Sequence, residues 1–343
     1  MHKNKILIVG AGFFGSTIAR ILADNGYHIT VIDKRDHIAG NAFDYKNEIG
    51  IRIHKYGPHI FHTNNKKVYE WLGQFTNWIP YQHKVRALLP NGTEVVLPPN
   101  LETSAIVGSE NIIDVLFRPY TKKMWGLDIE EIDPGIINRV PIRNDENILY
   151  FPNDEYQAMP DHGYTELMAK MLNHENIKLK LNTNFQKSME DDFYHVFNSM
   201  PIDEYYNYKF GELPYRSIKF HHQNINVPYL LSVPTLNFTH DGPYTRVTEW
   251  KKYPKHGNNI HQTTITLEEP CDYKENNLER YYPIKDVNGH NRQIYKKYKE
   301  VKNSKTTFIG RCGLYVYIDM HQAVSSALKV ASDFLKLEEQ IID

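Results

Sequence analysis

The sequence predicts an α/β fold: a Rossmann-like domain closed by both ends of the chain, with a small helical domain and an antiparallel β-sheet domain inserted between them. Three observations predict it. The first 33 residues read as strand, glycine-rich turn, helix and strand. Segments that alternate polar with apolar residues, bounded by Pro, Asn and Gly, crowd the chain beyond residue 215. The last 35 residues or so then return to a strand followed by a long amphipathic helix.

Taken in order, Lys5–Val9 carries a short apolar, β-branched run of the kind buried in parallel sheets. Residues 14–25 have helical spacing, with Ile18, Ile21 and Leu22 on one face, and Gly26 closes the helix before a strand at His28–Ile32. Helical spacing recurs at 66–75 and 164–172, and the stretch 101–117 reads as helical in its second half. Segments 215–221, 229–233, 245–250 and 259–266 read as antiparallel strands. A strand at 306–309 and a helix over 320–337, with Ala323, Val324, Ala327, Leu328, Ala331 and Phe334 on one face, finish the chain. The expected division is therefore a discontinuous Rossmann-like domain (1–65, 157–205 and 305–343), a small helical domain (66–140) and an antiparallel-sheet substrate domain (80–100, 141–156 and 206–304).

Composition narrows the function classes. The 40 Lys+Arg against 41 Asp+Glu leave no basic excess, which argues against nucleic-acid binding. Two cysteines, Cys271 and Cys312, are too few for a disulfide framework, so a reducing, cytoplasmic setting is expected. The apolar run after Lys5 resembles part of a signal peptide, but Gly10, Gly12 and Gly15 interrupt it, and no run long enough for a membrane span is present. The 24 tyrosines fit either polar-tipped surfaces around a ligand or a composition poor in alanine.

Gly10-Ala11-Gly12-Phe13-Phe14-Gly15 fits G-x-G-x-x-G between a strand and a helix, and Asp33 ends the second strand. Gly10 makes the turn, Gly12 lets backbone approach a pyrophosphate, and Gly15 lets the helix pack closely on the strand. The helix N-terminus favours the anion, and the Asp33 carboxylate accepts from a ribose hydroxyl. Gly310-Arg311 after the last strand, and Asp319 placed to cap the last helix, add a second wall. Two chain ends around one nucleotide suit a large cofactor such as FAD.

His54, His59 and His62 fall within nine residues, but no H-E-x-x-H or nearby Cys supports a metal, and Gly57-Pro58 points to a shaped loop; no metal site is expected. Arg143 and Arg246 suit a diphosphate if they face one ligand, because guanidinium is permanently charged and binds bidentately. From spacing alone, two surface arginines in ordinary ion pairs are the favoured reading.

Together these segments resemble the bacterial UDP-galactopyranose mutases. The matching strings are Gly10 to Gly15, Tyr56-Gly57-Pro58-His59-Ile60-Phe61-His62, Tyr120-Thr121 with Trp125-Gly126, Pro141-Ile142-Arg143, Gly163-Tyr164-Thr165, Pro243-Tyr244-Thr245-Arg246, Tyr281-Tyr282-Pro283-Ile284, and Gly310-Arg311 through Tyr317-Ile318-Asp319-Met320. They run in family order over nearly the whole chain. The resemblance implies FAD, active when reduced by NAD(P)H or another external reductant, and held by Gly10, Gly12, Phe14, Gly15, Asp33, Lys34, Gly40, Asn41, Arg311, Asp319 and Met320. It implies Arg143, on a mobile loop, and Arg246 on the diphosphate, helped by Tyr156, Tyr282 and Tyr317. Tyr120 would stack on the base, Trp125, His83 and Asn237 would face the rest of the substrate, and His59 and His62 would sit against the flavin. The implied reaction interconverts pyranose and furanose forms of UDP-galactose through attack of reduced flavin N5 on sugar C1, supplying furanose donors for surface polysaccharide.

Departures keep other substrates open. His83 stands where the family commonly carries Asn, Ala39 replaces the first glycine of Gly-Gly-Asn, and Met200 replaces a small residue. TDP-fucose, UDP-N-acetylgalactosamine and a GDP-heptose are alternatives, as are a flavin amine-oxidase-type oxidoreductase and a non-catalytic nucleotide-sugar binder. The stretch between Leu97-Pro98 and Tyr120 is shorter than the family's usual helical domain, which makes the dimer contact, so a homodimer would use an altered interface.

Overall fold

A computed structural model describes residues 4–137 and 140–342. Strand β1 (Lys5–Val9), helix α1 (Phe13–Asp24) and strand β2 (His28–Ile32) form the expected opening unit. Both chain ends contribute to a five-stranded parallel sheet in the order Ile177–Lys180, β2, β1, His195–Asn198, Thr306–Phe308. The apolar run is continuous because β1 is covered on both faces: Ile6, Leu7 and Ile8 are all buried. On one face α1 and the final helix, Met320–Ile342, share a cluster in which Ile18, Ala19 and Leu22 meet Ala327, Ala331 and Phe334. Burying such a helical stripe, at about 25 cal/mol per Å² of apolar surface, holds the C-terminal helix to the N-terminal unit.

The second sheet has seven strands in the order Tyr282–Pro283, Tyr215–Ile225, Thr263–Asp272, Arg246–Glu249, Thr235–Phe238, Val85–Leu88, Glu94–Leu97. It departs from the expectation in two ways. Thr235–Phe238 pairs parallel with Val85–Leu88, so the sheet is mixed. Residues 229–233 form no strand; Pro228 and Pro234 bracket them, and the Leu230 and Leu231 N–H groups donate to the Glu249 carboxylate (3.0 and 2.8 Å) instead of to a ladder. A three-stranded sheet joins Phe61–Thr63, Tyr156–Pro160 and Trp78–Pro80 in that order.

The stretch 101–117 is helical in both halves, not only the second. Leu101–Val107 is an α-helix whose first turn is capped by Asn100, which accepts from the Thr103 N–H (3.1 Å). Gly108, at φ +84°, breaks it, and a widened π-type turn at Ile113–Phe117 leads into the helix Arg118–Trp125. Ile112 and Leu116 pack on Val85, Ala87, Val95 and Leu97, so this short helical segment lies directly on the edge of the seven-stranded sheet. Among the described residues no helix is long and apolar enough to cross a membrane.

Candidate active site

Two cavities meet in the middle of the molecule. The first, about 430 Å³, is lined by Gly10, Gly12, Phe14, Gly15 and Asp33, continues past Lys34, Gly40 and Asn41, and is bounded by Arg311, Asp319 and Met320. Its floor is backbone. Gly10 sits at φ +105°, and a Cβ there would lie 2.1 Å from Ser199 Oγ. A Cβ on Gly40 would lie 3.0 Å from the Gly12 Cα, and one on Gly15 would lie 2.0 Å from the Gly10 carbonyl oxygen. No side chain caps α1 and its first turn holds no acidic residue, so its N-terminus is open to an anion. The Asp33 carboxylate accepts from the Ala11 N–H (2.8 Å) and the Arg35 N–H (3.0 Å), which aims it along the cavity wall. These residues fit a dinucleotide such as FAD. Met200, larger than the family's usual residue, lines the same cavity.

The second cavity, about 520 Å³, lies between the seven-stranded sheet, the 118–125 helix and the 54–62 loop. Tyr120 and Trp125 come from the helix, Asn237 and Arg246 from adjacent strands, and His83 from just ahead of strand Val85–Leu88. Tyr282 and Tyr317 complete an aromatic wall: Tyr282 meets Trp125 edge-on at 6.1 Å and Tyr317 at 5.2 Å. The Arg311 guanidinium lies 5.0 Å from the Tyr317 ring centre and 5.7 Å from that of Tyr282. His59, Arg311, Asp319 and Met320 line both cavities and therefore mark where they join.

Charge in the second cavity centres on Arg246, whose Nε lies 2.7 Å from Glu268 Oε2. Burial alone disfavours its charge, but the buried Glu268 carboxylate outweighs this and holds the guanidinium pKa well above its ordinary value. Asn237 Oδ1 lines the cavity and is buried without a hydrogen-bond partner, polar capacity that a polar ligand would use. Burial lowers the His59 pKa to about 4, against its Nδ1–H bond to the Gly57 carbonyl (2.8 Å), so the ring is neutral near pH 7. Its backbone is held as well: the His59 N–H donates to His54 Nδ1 (3.1 Å), and the His54 ring contacts His256 through the two Nε2 atoms (3.1 Å). His62 donates from Nδ1 to Asp154 (2.5 Å) and stacks on Phe151, with ring centres 3.6 Å apart. Burial also holds His83 neutral, with a pKa lowered to about 3 and its Nδ1 hydrogen-bonded to the Tyr81 hydroxyl (3.0 Å).

Two expected substrate residues are not brought into this cavity. Arg143 folds back on its own loop, donating to the carbonyls of Pro98 and Asn147, with Asp145 3.4 Å away. Tyr156 belongs to the three-stranded sheet and stacks on Tyr69 (4.5 Å). Conversely, Glu268, Asp154, Tyr150 and Phe151 enter the site or contact its residues without any sequence motif. Asp319 precedes the last helix; its carbonyl accepts from the Ala323 N–H (2.9 Å), and Gln322 Oε1 accepts from the Asp319 N–H (2.9 Å), half of a capping box. Among the described residues no group of three or more His, Cys, Asp or Glu is arranged to hold a metal ion.

Comparison with known proteins supplies the lineage. A family model described as UDP-galactopyranose mutase matches residues 115–317, and one described as an NAD(P)-binding Rossmann-like domain matches residues 8–75. The protein named Probable UDP-galactopyranose mutase of Klebsiella pneumoniae is 34% identical over 374 residues, covering 98% of this chain and 96% of the relative. The dTDP-fucopyranose mutase of Escherichia coli is 33% identical over 383 residues, covering 97% of this chain and 99% of the relative. Both alignments are longer than the 343-residue chain, so these relatives carry residues that it lacks. A crystal structure of reduced UDP-galactopyranose mutase shares the fold, with a TM-score of 0.74 at 18% identity over 97% of this chain and 96% of that one. The chain belongs to the UDP-galactopyranose mutase family, a family of isomerases.

Proposed function

We propose that this chain is an FAD-dependent mutase that interconverts the pyranose and furanose forms of a nucleotide-diphosphate sugar, with UDP-galactose the first substrate. The observation that carries this reading is the junction of the two cavities at His59, Arg311, Asp319 and Met320. It lets a backbone-lined dinucleotide site and a site built around the half-buried Arg246 share a single reacting region. Reduced FAD, once bound, supplies a nucleophile for the anomeric carbon, so the reaction needs no net redox change.

The protein's share is binding, orientation and charge. Gly10, Gly12 and the α1 N-terminus hold the pyrophosphate of the cofactor, and Asp33 takes a ribose hydroxyl. Arg246 meets the substrate diphosphate and stabilises the charge that grows on it as it leaves the sugar. Because Glu268 already holds the guanidinium in place, little reorganisation is needed at that moment. The hydroxyls of Tyr282 and Tyr317 line the same wall, Tyr120 offers a face for the base, and Trp125 covers the sugar. His62, oriented by Asp154 through Nδ1, keeps Nε2 for a sugar hydroxyl. Arg143 would join the diphosphate only by leaving its contacts with Pro98, Asn147 and Asp145.

A dTDP-deoxyhexose is the second reading. It is favoured by the near-equal identity to the E. coli dTDP-fucopyranose mutase and by a bulky, neutral His83 in the cavity wall. Incubating reduced holoprotein with UDP-galactofuranose and with dTDP-fucofuranose, then following each pyranose by chromatography, tests both. Turnover of either supports the mutase; no turnover across a panel of UDP, dTDP and GDP sugars sinks it.

A further inference from the structure

Lys123 stands on the 118–125 helix between Tyr120 and Trp125, yet it is absent from the cavity wall that both of them line. Its side chain turns to main chain. Nζ donates to the carbonyls of Phe238, His240 and Tyr244 at 2.8, 3.0 and 3.0 Å. An ammonium has three protons and no acceptor, so these three carbonyls use all of its donors. The carbonyls are not scattered. Phe238 ends strand Thr235–Phe238, which carries Asn237, and His240 and Tyr244 lie on the connection from it to strand Arg246–Glu249, which opens with Arg246.

The same helix is tied a second time at its C-terminus. Arg216, on strand Tyr215–Ile225 of the same sheet, donates from Nε to the Met124 carbonyl (2.9 Å) and from Nη2 to the Lys123 carbonyl (3.1 Å). Arg216 thus fixes the end of the helix against the sheet. Lys123 does something different: it links the wall that bears Tyr120 and Trp125 to the wall that bears Asn237 and Arg246. None of its acceptors lines the dinucleotide cavity.

We propose that Lys123 is a positioning residue for the nucleotide-sugar substrate, setting the separation of the aromatic wall from the arginine wall across the second cavity. The proposal rests on the nucleotide-sugar reading above. Tyr120 and Arg246 act on different parts of one ligand, so their spacing must match that ligand, and a shift near 1 Å at such a site costs up to about 100-fold. A lysine that only steadied the 238–245 connection would change melting temperature without changing ligand affinity.

The test uses FAD-loaded wild type, Lys123→Met and Lys123→Arg, titrated with UDP and with dTDP by calorimetry. Wild type should bind at least one nucleotide. Lys123→Met should bind it about tenfold or more weakly, with unchanged FAD content and an unchanged rate of FAD release. Lys123→Arg, which keeps charged donors, should regain part of that loss. Wild-type affinity in Lys123→Met, or parallel loss of nucleotide and FAD, overturns the proposal. If Lys123→Met does not load FAD, Lys123→Gln, which keeps an amide donor, is judged by the same two criteria. Wild type that binds neither nucleotide defeats the nucleotide-sugar reading and the proposal with it, and the wild-type titration alone shows which has failed.

Discussion

The dinucleotide cavity is floored by main chain from the N-terminal segment and closed by the other end of the chain: Gly10, Gly12 and Gly40 bring backbone to within a methyl group's width of its neighbours, Asp33 adds an acceptor, and Arg311, Asp319 and Met320 bound the far side. The substrate cavity is built from side chains contributed by elements as far apart as His83, Tyr120, Arg246 and Tyr317. A backbone cradle fails when atoms are added to it. A side-chain cavity fails when charge is removed from it. The contrast predicts that cofactor and substrate functions can be lost separately.

The largest effect should come from Arg246→Ala. Removing the guanidinium that Glu268 holds at the cavity wall should lower kcat/KM by about 1,000-fold or more. It also leaves Glu268 as an uncompensated buried carboxylate, at a stability cost of about 3 kcal/mol or more. Arg246→Ala combined with Glu268→Gln should therefore recover melting temperature without recovering activity, while FAD content by absorbance stays at the wild-type level. If the double variant also regained turnover, Arg246 would have only a structural role.

Next is the opposite lesion. Gly10→Ala places a Cβ 2.1 Å from Ser199 Oγ at a φ of +105°. It should weaken FAD by about 100-fold, measured by flavin fluorescence during dialysis, and leave UDP binding within about threefold of wild type. Equal loss of both ligands would erase the distinction between the two cavities.

A smaller effect concerns pH. His54, His83 and His256 are all buried, and burial lowers each pKa, to about 3 for His83 and about 4 for His256. In the unfolded chain histidine titrates near 6.5, so below that pH the unfolded state binds more protons and stability falls as pH falls. Each should cost about 1.4 kcal/mol per pH unit between roughly pH 6 and its folded pKa. Urea unfolding of the apoprotein from pH 7.5 to 5 measures the slope, and His83→Asn should flatten it by one histidine's share. A stability independent of pH in that window would contradict the burial of these rings.

Arg143→Ala should have the smallest effect on activity, about tenfold or less in kcat/KM, because the side chain is bound to its own loop and not to the cavity. A loss as large as that of Arg246→Ala would show that Arg143 enters the cavity during turnover.

How much of this was legible in the sequence follows from the same contrast. The dinucleotide side was readable because its determinants are local: glycines at fixed offsets between a strand and a helix, with Asp33 at the end of the next strand. The pairing of Arg246 with Glu268 was not, because it depends on the register of Arg246–Glu249 against Thr263–Asp272, which places the two residues opposite each other. Nor was the parallel pairing of Thr235–Phe238 with Val85–Leu88, since about 150 residues of chain separate the partners. Helix Leu101–Val107 escaped because its signal is a cap at Asn100 and not an apolar stripe; Leu101 and Ile106 are exposed. His62 was visible as a histidine near a shaped loop, but its partner Asp154 lies 92 residues away in a segment with no motif. Collinear resemblance to a family named the residues of the second cavity that local spacing could not.

The most direct test of the central claim, that the two cavities serve one reaction without net redox change, is an anaerobic count of turnovers per reduced flavin. Holoprotein reduced once with dithionite, then freed of excess reductant, is mixed with UDP-galactofuranose, and with dTDP-fucofuranose in parallel. Pyranose product and flavin absorbance are followed together. The account predicts many product molecules per flavin with the flavin still reduced at the end, and no product from the oxidised protein. No product with either sugar nucleotide, or one oxidised flavin for each product formed, would contradict it.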